Sequence, residues 1–367
     1  MLKIIRFLKA NLVLTIAFCL ALITSFLVPP DSNYKSYFDF KTLACLFCTL
    51  AVICALKNIR FFTFLARSIV HATGNLRSAV LALVFITFVG SMLIANDMAL
   101  ITFLPLGYYV LSSTGKRDYM AFVFVMQNIA ANLGGMLTPF GNPQNLYLYS
   151  RFHIPTGEFL GIMFPPFLTA TILIVICCCF VKSEKIELPE QDNYRLPRVR
   201  TILYLVLFAL SISVVFRAVP YLIGTAVVLL ALLVLDRKAL QCVDYALLMT
   251  FVCFFIFAGN LSRIELVHSL LVKVLAKNTL LISILSCQII SNVPTSILLS
   301  QFTDNYRALL LGVNIGGTGT LIASLASLIT FREYSLREPY KIGKYLKIFA
   351  GLNLLFLGTL TLVAMFL

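Results

Sequence analysis

Asp97 has the most chemistry to offer in this chain. Of fifteen acidic residues, fourteen fall in polar connections or at the ends of apolar runs, and Asp97 lies inside one, directly after Asn96. A carboxylate at membrane depth costs at least about 2.5 kcal/mol on insertion scales. It must therefore take up a proton or hold a cation, and either suits exchange of H⁺ or Na⁺. A second group of residues offers neutral ligands. Asn132, Thr138, Asn142, Gln144 and Asn145 stand among Gly134, Gly135, Gly141 and Pro143; Asn314, Thr318, Thr320, Ser324 and Ser327 stand among Gly316, Gly317 and Gly319. Glycine and proline interrupt a helix, which frees backbone carbonyls to coordinate a cation and turns a half-helix N-terminus toward an anion. Ser291 and Asn292 repeat the pattern of Ala95 and Asn96 at a second apolar turn.

These residues sit in a strongly apolar chain. Of 367 residues, 60% are apolar and 12% charged, with no Trp and 31 Phe, and the mean hydropathy is +0.97. A soluble domain carries about 25% charged residues, so the chain reads as an all-α polytopic membrane protein. A soluble enzyme, a disulfide scaffold and a nucleic-acid-binding domain are excluded. The ten cysteines lie nearly all within apolar runs and read as packing residues. No H-E-x-x-H or G-x-S-x-G occurs, and Gly115-Lys116 continues into Arg117-Asp118, which is not a phosphate loop. Neither catalysis nor an organic cofactor is expected; a bound Na⁺ is the one ion that the polar residues suggest.

A crossing needs about 20 apolar residues. Runs near 11–29, 40–57, 158–181, 200–216, 218–235, 243–259 and 345–367 meet this. Residues 78–112 and 279–304 read as hairpins that enter and leave on one side, and 119–149 and 306–330 as crossing helices broken at their glycines. That makes about nine spans, two re-entrant hairpins and two broken helices. The run after Lys3, Arg6 and Lys9 lacks a small-residue cleavage pattern, so it reads as the first span rather than a signal peptide. With the N-terminus in the cytoplasm, inner connections hold 21 of the 29 basic residues and outer ones 8. This asymmetry supports that orientation.

The two halves also match. NLGGMLTPFGNPQNL at 132–146 aligns with NIGGTGTLIASLASL at 314–328, identical at Asn132/Asn314, Gly134/Gly316, Gly135/Gly317, Thr138/Thr320 and Leu146/Leu328. Upstream, Ala95-Asn96-Asp97 pairs with Ser291-Asn292-Val293, and Phe38-Asp39-Phe40 with Val243-Asp244-Tyr245. Amphipathic stretches at 59–75 and 261–278 follow the spans 40–57 and 243–259, and read as arms lying along the membrane surface. Because those spans run in opposite directions, the repeat is inverted, the signature of secondary transporters with a site near the midplane. A channel would not need two opposed hairpins.

In the segments ANDMALITFLP (95–105), NLGGMLTPFGNPQNLYLYS (132–150), ISNVPTSILL (290–299) and GVNIGGTGTLIASLASL (312–328), the chain resembles the ion transporter superfamily. Within it, the likeness is to permeases related to arsenite efflux, sodium/proton antiport and citrate or dicarboxylate transport. The resemblance implies a homodimer with an elevator arrangement, in which a scaffold holds a moving transport domain. The scaffold would comprise 1–75 and 183–278, and the transport domain 76–182 and 279–367. In sodium-coupled divalent-anion members a Ser-Asn-Thr triplet at each hairpin tip helps to build the ion and substrate sites. Here both asparagines persist and both threonines are lost, and Ser324-Leu325-Ala326-Ser327 replaces the second Pro-Pro-Asn element. Asn96-Asp97 is closer to the arsenite and antiporter branches.

The expectation is a secondary active transporter in the inner or plasma membrane of a prokaryote. It would carry a small anion coupled to Na⁺ or H⁺, or exchange a cation for protons at Asp97. Asn96, Asn132, Gly134, Gly135, Thr138, Asn142, Gln144, Asn145, Asn292, Asn314, Gly316, Gly317, Thr318, Thr320, Ser324 and Ser327 would bind substrate. Asp97, Asn96, Gly141, Ser291, Asn292 and Gly319 would hold the coupling ion.

Overall fold

The structure, a computed structural model, describes residues 11–71, 73–186 and 195–367. The N-terminal basic residues Lys3, Arg6 and Lys9, and the part of the inner connection at 187–194, lie outside the described residues. Among the described residues the chain is helical, with no strand beyond an isolated bridge between Asn75 and Lys185.

The first half runs through α1 (Leu12–Leu27), α2 (Phe40–Asn58), α3 (Phe61–His71), α4 (Leu76–Ile94), α5 (Asn96–Ser113), α6 (Met120–Gly134), α7 (Pro143–Arg151) and α8 (Thr156–Cys179). The second comprises α9 (Arg198–Val215), α10 (Tyr221–Leu235), α11 (Arg237–Gln241), α12 (Tyr245–Ser262), α13 (Glu265–Lys277), α14 (Thr279–Ile290), α15 (Asn292–Leu299), α16 (Tyr306–Ile315), α17 (Leu325–Arg337) and α18 (Ile342–Met365). Seven helices among the described residues are long and apolar enough to cross a membrane, or eight if α13 and α14 count as one bent span. This is a multi-pass membrane protein. The tally differs from a reading of apolar runs for a physical reason. Helices α1 and α10 have 16 and 15 residues, short of the 20-residue template, whereas α4, one arm of the first hairpin, has 19.

Polar residues at the ends of apolar runs start the helices. The carboxylate of Asp39 accepts the backbone N–H of Thr42, Asp244 that of Leu247, Asn75 that of Ser78 and Asn278 that of Leu281. Each satisfies one of the amides that a helix leaves unpaired at its first turn. At α7 the cap is followed by Pro143 at the first helical position, where its missing N–H costs nothing.

Both hairpins form. Helices α4 and α5 reverse at Ala95, and the open ends of both meet at Glu184: its carbonyl accepts from Leu76 N at 2.8 Å, and its carboxylate pairs with Lys116 after α5. Helices α14 and α15 reverse at Ser291, and α14 leaves the arm α13 through a 119° bend. Each arm touches the far end of its hairpin: Arg67 of α3 lies over the Tyr109 ring, and His268 of α13 against Phe302. Three ion pairs among the described residues each join two connections that the charge count assigns to the same side. Lys116–Glu184 and Lys341–Asp118 link inner connections, and Arg263–Asp31 links outer ones.

Lys116 holds the Glu184 carboxyl below its ordinary value of 4.5, chiefly by its hydrogen bond. A group whose folded pKa is depressed stabilises above its unfolded value, and that stabilisation fades as pH falls through the folded one. Thermal stability should therefore not respond to this pair from neutral pH down to about pH 5, and should lose its contribution below about pH 4. Glu184→Gln should lose the contribution at neutral pH and show a shallower acid slope in melting curves; an identical slope would deny the pair any role.

Candidate functional site

Each broken helix stops where the sequence places glycine. Helix α6 ends at Gly134, whose missing Cβ leaves room for the Phe88 carbonyl and the Ser91 hydroxyl of α4. A turn at Gly135–Leu137 and a loop to Asn142 precede α7. Helix α16 ends at Ile315, and the chain returns to helix at Leu325. Gly319 in that loop has φ +117°, open to glycine without strain.

The hairpin tips lie against these loops in matching ways. Ala95 and Ser291 both have positive φ, +63° and +73°, with ψ 150° and 159°. Such backbone costs a non-glycine residue on the order of 1–3 kcal/mol and persists where its surroundings impose it. What imposes it here is a set of bonds repeated in the two halves. Asn96 N donates to Gly141 O at 3.1 Å, and Asn292 N to Ala323 O at 3.0 Å. The Asn96 and Asn292 side chains accept the next residue's N–H, from Asp97 and Val293, both at 2.9 Å. Thr138 Oγ1 donates to Met92 O at 2.7 Å, and Thr320 Oγ1 to Gln288 O at 3.1 Å.

The loops are also bonded to one another across the halves. Asn132 Nδ2 donates to Ser324 Oγ at 3.1 Å; at the matching positions Asn142 Nδ2 donates to Asn314 Oδ1 at 3.4 Å. Asn314 Nδ2 donates to Asn145 Oδ1 at 2.6 Å, and Asn128 Nδ2 to Ser327 Oγ at 3.2 Å. Asn96 Nδ2 reaches Asn132 Oδ1 at 3.1 Å, which ties the first tip into the network.

A cavity of about 360 Å³ opens beside this network. Asn96, Asp97, Gln144, Ser291 and Asn292 face it, together with Thr250 of α12. The remaining wall is apolar and comes from both sides: Val13, Ile16, Leu247, Phe254 and Phe257 from α1 and α12, and Ile289, Val293 and Ile322 from the second hairpin and loop. Among the described residues, one oxygen of Asp97, Oδ1, is buried without a hydrogen-bond partner, and so is Gln144 Oε1. No Lys, Arg or His among the described residues faces this cavity.

The other sequence-selected residues lie behind this surface rather than on it. Asn132, Asn142, Asn145, Asn314, Ser324 and Ser327 form the buried cross-network. Thr138, Thr318 and Thr320 bond backbone carbonyls of their own or a neighbouring segment. Gly135 and Gly141 back onto each other, Gly316 onto Cys287, Gly317 onto the Asn292 amide and Gly319 onto Gln288.

Several residues of the site carry no repeat signal, Asn128, Thr250, Gln288 and Gln127 among them. Gln288 clamps the second loop: its amide donates to Gly316 O at 2.9 Å and Thr318 O at 3.1 Å, and its oxygen accepts Thr320 N at 2.8 Å. Gln127 plays a similar part inside the first hairpin, donating to Thr87 Oγ1 at 3.0 Å and Phe103 O at 3.2 Å. A polar amide within an otherwise apolar run, Gln288 singly and Gln127 beside Asn128, was the available signal, since burying such a group is costly.

Comparison with known proteins agrees with this architecture. A family model described as citrate transporter matches residues 1–306. The uncharacterized transporter MJ0456 of Methanocaldococcus jannaschii is 32% identical over 84% of this chain and 85% of its own length. The inner membrane protein YbiR of Escherichia coli is 29% identical over 84% of each chain. The silicon efflux transporter LSI3 of Oryza sativa subsp. japonica is 29% identical over 41% of this chain and 31% of its own. The protein is a membrane transporter and not an enzyme, and the chain belongs to the citrate transporter family.

Proposed function

We propose that this protein is a secondary active transporter that moves a small anion, a carboxylate or oxyanion, together with Na⁺ or H⁺ held at Asp97. The observation that carries the reading is the arrangement of helix starts. Helices α5, α7, α15 and α17 begin at Asn96, Pro143, Asn292 and Leu325, and all four residues line the cavity. A helix N-terminus acts as roughly half a positive charge through its aligned peptide dipoles. Four of them can hold an anion where none of the described residues supplies a cationic side chain. The negative charge of Asp97 would oppose that anion unless a proton or Na⁺ neutralises it, which links the two binding events.

The matched bonds around Ala95 and Ser291 support an inverted repeat, with one half-site at Asn96, Asp97 and the 132–145 loop and the other at Asn292 and the 314–327 loop. Packing of α1 along α12, and of α2 against α9 and α10, supports a scaffold of 1–75 and 183–278 holding a transport domain of 76–182 and 279–367. The reading includes about nine spans, a homodimer, elevator motion, a cytoplasmic N-terminus and the inner membrane. The inner-membrane relative and the basic inner connections favour the last two. A second reading, cation/proton antiport or efflux of an arsenite-like solute, is favoured by the unpartnered oxygen of Asp97.

The test is thermal stability of the purified protein with citrate, succinate, sulfate, phosphate or arsenite, each in Na⁺ or choline across a pH series. A ligand at about 100 times its dissociation constant stabilises by roughly 2.7 kcal/mol. Stabilisation by one anion, enhanced by Na⁺ or by acid, is the expected result. Stabilisation by Na⁺ or Li⁺ alone, growing as pH rises, would replace it with the antiport reading.

A further inference from the structure

Asp244 caps α12 and has no part in the cavity described above, yet its surroundings differ from those of the residue it matches. In the first half Asp39 uses both oxygens: Oδ1 accepts Thr42 N at 3.0 Å and Oδ2 accepts the Thr42 hydroxyl at 2.6 Å. In the second half Leu247 stands where Thr42 does. Asp244 Oδ1 accepts Leu247 N at 2.9 Å, and Leu247 has no hydroxyl to offer the second oxygen. Asp244 is exposed and lines a vestibule of about 320 Å³, at the end of the bundle where the inner connections lie, together with Asn11, Thr250 and Arg332. It also lines a narrow crevice of about 60 Å³, where Asp97 is the other charged residue among those described. Asp97 in turn lines the central cavity. Asp244 thus lines both vestibule and crevice, and Asp97 both crevice and cavity; vestibule and cavity also adjoin directly at Val13, Leu247, Thr250, Leu325 and Leu328.

A crevice of that volume is large enough for water, which needs about 10–15 Å³ per molecule on such a measure and polar partners to bind. Two carboxylates on its lining supply those partners, and low-dielectric walls of Leu46, Leu50, Met98 and Phe140 focus their field along it. Arg332 lines the vestibule and not the crevice, so the charges that a cation meets beyond it, among the described residues, are carboxylates. Asp236 accepts from Asn58, next to Lys57, at 3.0 Å; neither Lys57 nor Asp236 lines the crevice.

We propose that Asp244 is the entry station for the coupling cation, drawing it from the vestibule into the crevice that ends at Asp97. The proposal rests on the reading of Asp97 as the coupling-ion site, and its test addresses the route separately from coupling. In the full chain, the exposed Cys19, Cys179 and Cys242 are replaced by Ser, Asp97→Cys places a thiol at the end of the crevice, and Ag⁺ is added in nitrate buffer. Loss of the introduced thiol is timed against the same protein without the Asp97→Cys change. Asp244→Asn keeps an acceptor for Leu247 N, so α12 retains its cap, and a melting curve checks that it does. At low salt this change should slow the Ag⁺ reaction about fivefold, the effect of one charge at close range in water. The difference should shrink at high ionic strength, and Asp39→Asn should leave the rate unchanged. An Ag⁺ rate that Asp244→Asn leaves unaltered, or an introduced thiol that Ag⁺ never reaches, overturns the route. Loss of ion dependence in Asp97→Asn is a separate measurement, so either idea can fail without the other.

Discussion

Asp97→Asn should abolish concentrative uptake in proteoliposomes while the protein still folds and inserts. The amide is nearly the same size as the carboxyl, keeps the hydrogen bond from Asp97 N to Asn96 untouched because that bond uses backbone, and can take neither a proton nor a negative charge. A coupled transporter without its ionisable group loses the free-energy link between solute and ion. The expected fall in ion-driven uptake is at least about tenfold, equivalent to about 1.4 kcal/mol of coupling. Whatever exchange remains should no longer respond to Na⁺ or pH. Full uptake with the original Na⁺ and pH dependence would remove Asp97 from the mechanism.

Asn314→Ala should produce the largest loss of stability among single changes in the site. Asn314 Nδ2 donates to Asn145 Oδ1 at 2.6 Å and to Leu310 O at 2.8 Å, and its oxygen accepts from Asn142. All three asparagines are buried. Truncation leaves Asn145 Oδ1 without that partner, and an orphaned buried polar group costs about 1–3 kcal/mol. The emptied side-chain volume adds to this. A loss of about 3 kcal/mol corresponds to a fall in melting temperature of roughly 4 °C for a chain of this size. Leu146→Ala, beside the network but outside its hydrogen bonds, serves as a comparison for packing loss alone. If Asn314→Ala melts within about 1 °C of the parent, the cross-network is not a source of stability.

Much of this architecture is legible in the sequence. Breakers cluster there, so the stops at Gly134 and Ile315, the turns at Ala95 and Ser291 and the two arms are all visible as interruptions of apolar runs. The identities of the polar residues near the midplane are equally visible. Their division of labour is not, because hydrogen-bond partners such as Asn132–Ser324 are set by contacts 192 residues apart. Composition cannot tell a residue that faces the cavity, such as Gln144, from one that braces its wall, such as Asn145. The apolar half of the cavity is hidden for another reason. Val13, Ile16, Leu247 and Phe254 have the same chemistry as neighbours that face lipid, and a periodic apolar stripe does not say which apolar medium it meets. The short helices α1 and α10 escape the length template, since span length depends on tilt and neighbours as well as on residue count.

The cavity walls bear on how the molecule could move. Polar bonds hold each side together: Asn260 to Thr24 and Ser25 where α12 meets α1, and the asparagine and serine cross-network among the broken helices. Polar links between the sides, such as Leu76 N to Glu184 O and Arg217 to Tyr149 O, involve residues that do not line the cavity. Between those sides the walls face each other through Val13, Ile16, Leu247 and Phe257 on one and Ile289, Val293 and Ile322 on the other. Aliphatic contacts have no preferred register, and each is nearly as well satisfied one turn further along. Such a seam acts as a greased bearing, with friction low along its length and stiffness kept inside the parts that slide. In the proposed transporter, the two half-sites would then travel together as one cargo hold, and the oily wall that looks ill-suited to an anion would be the surface on which that hold glides.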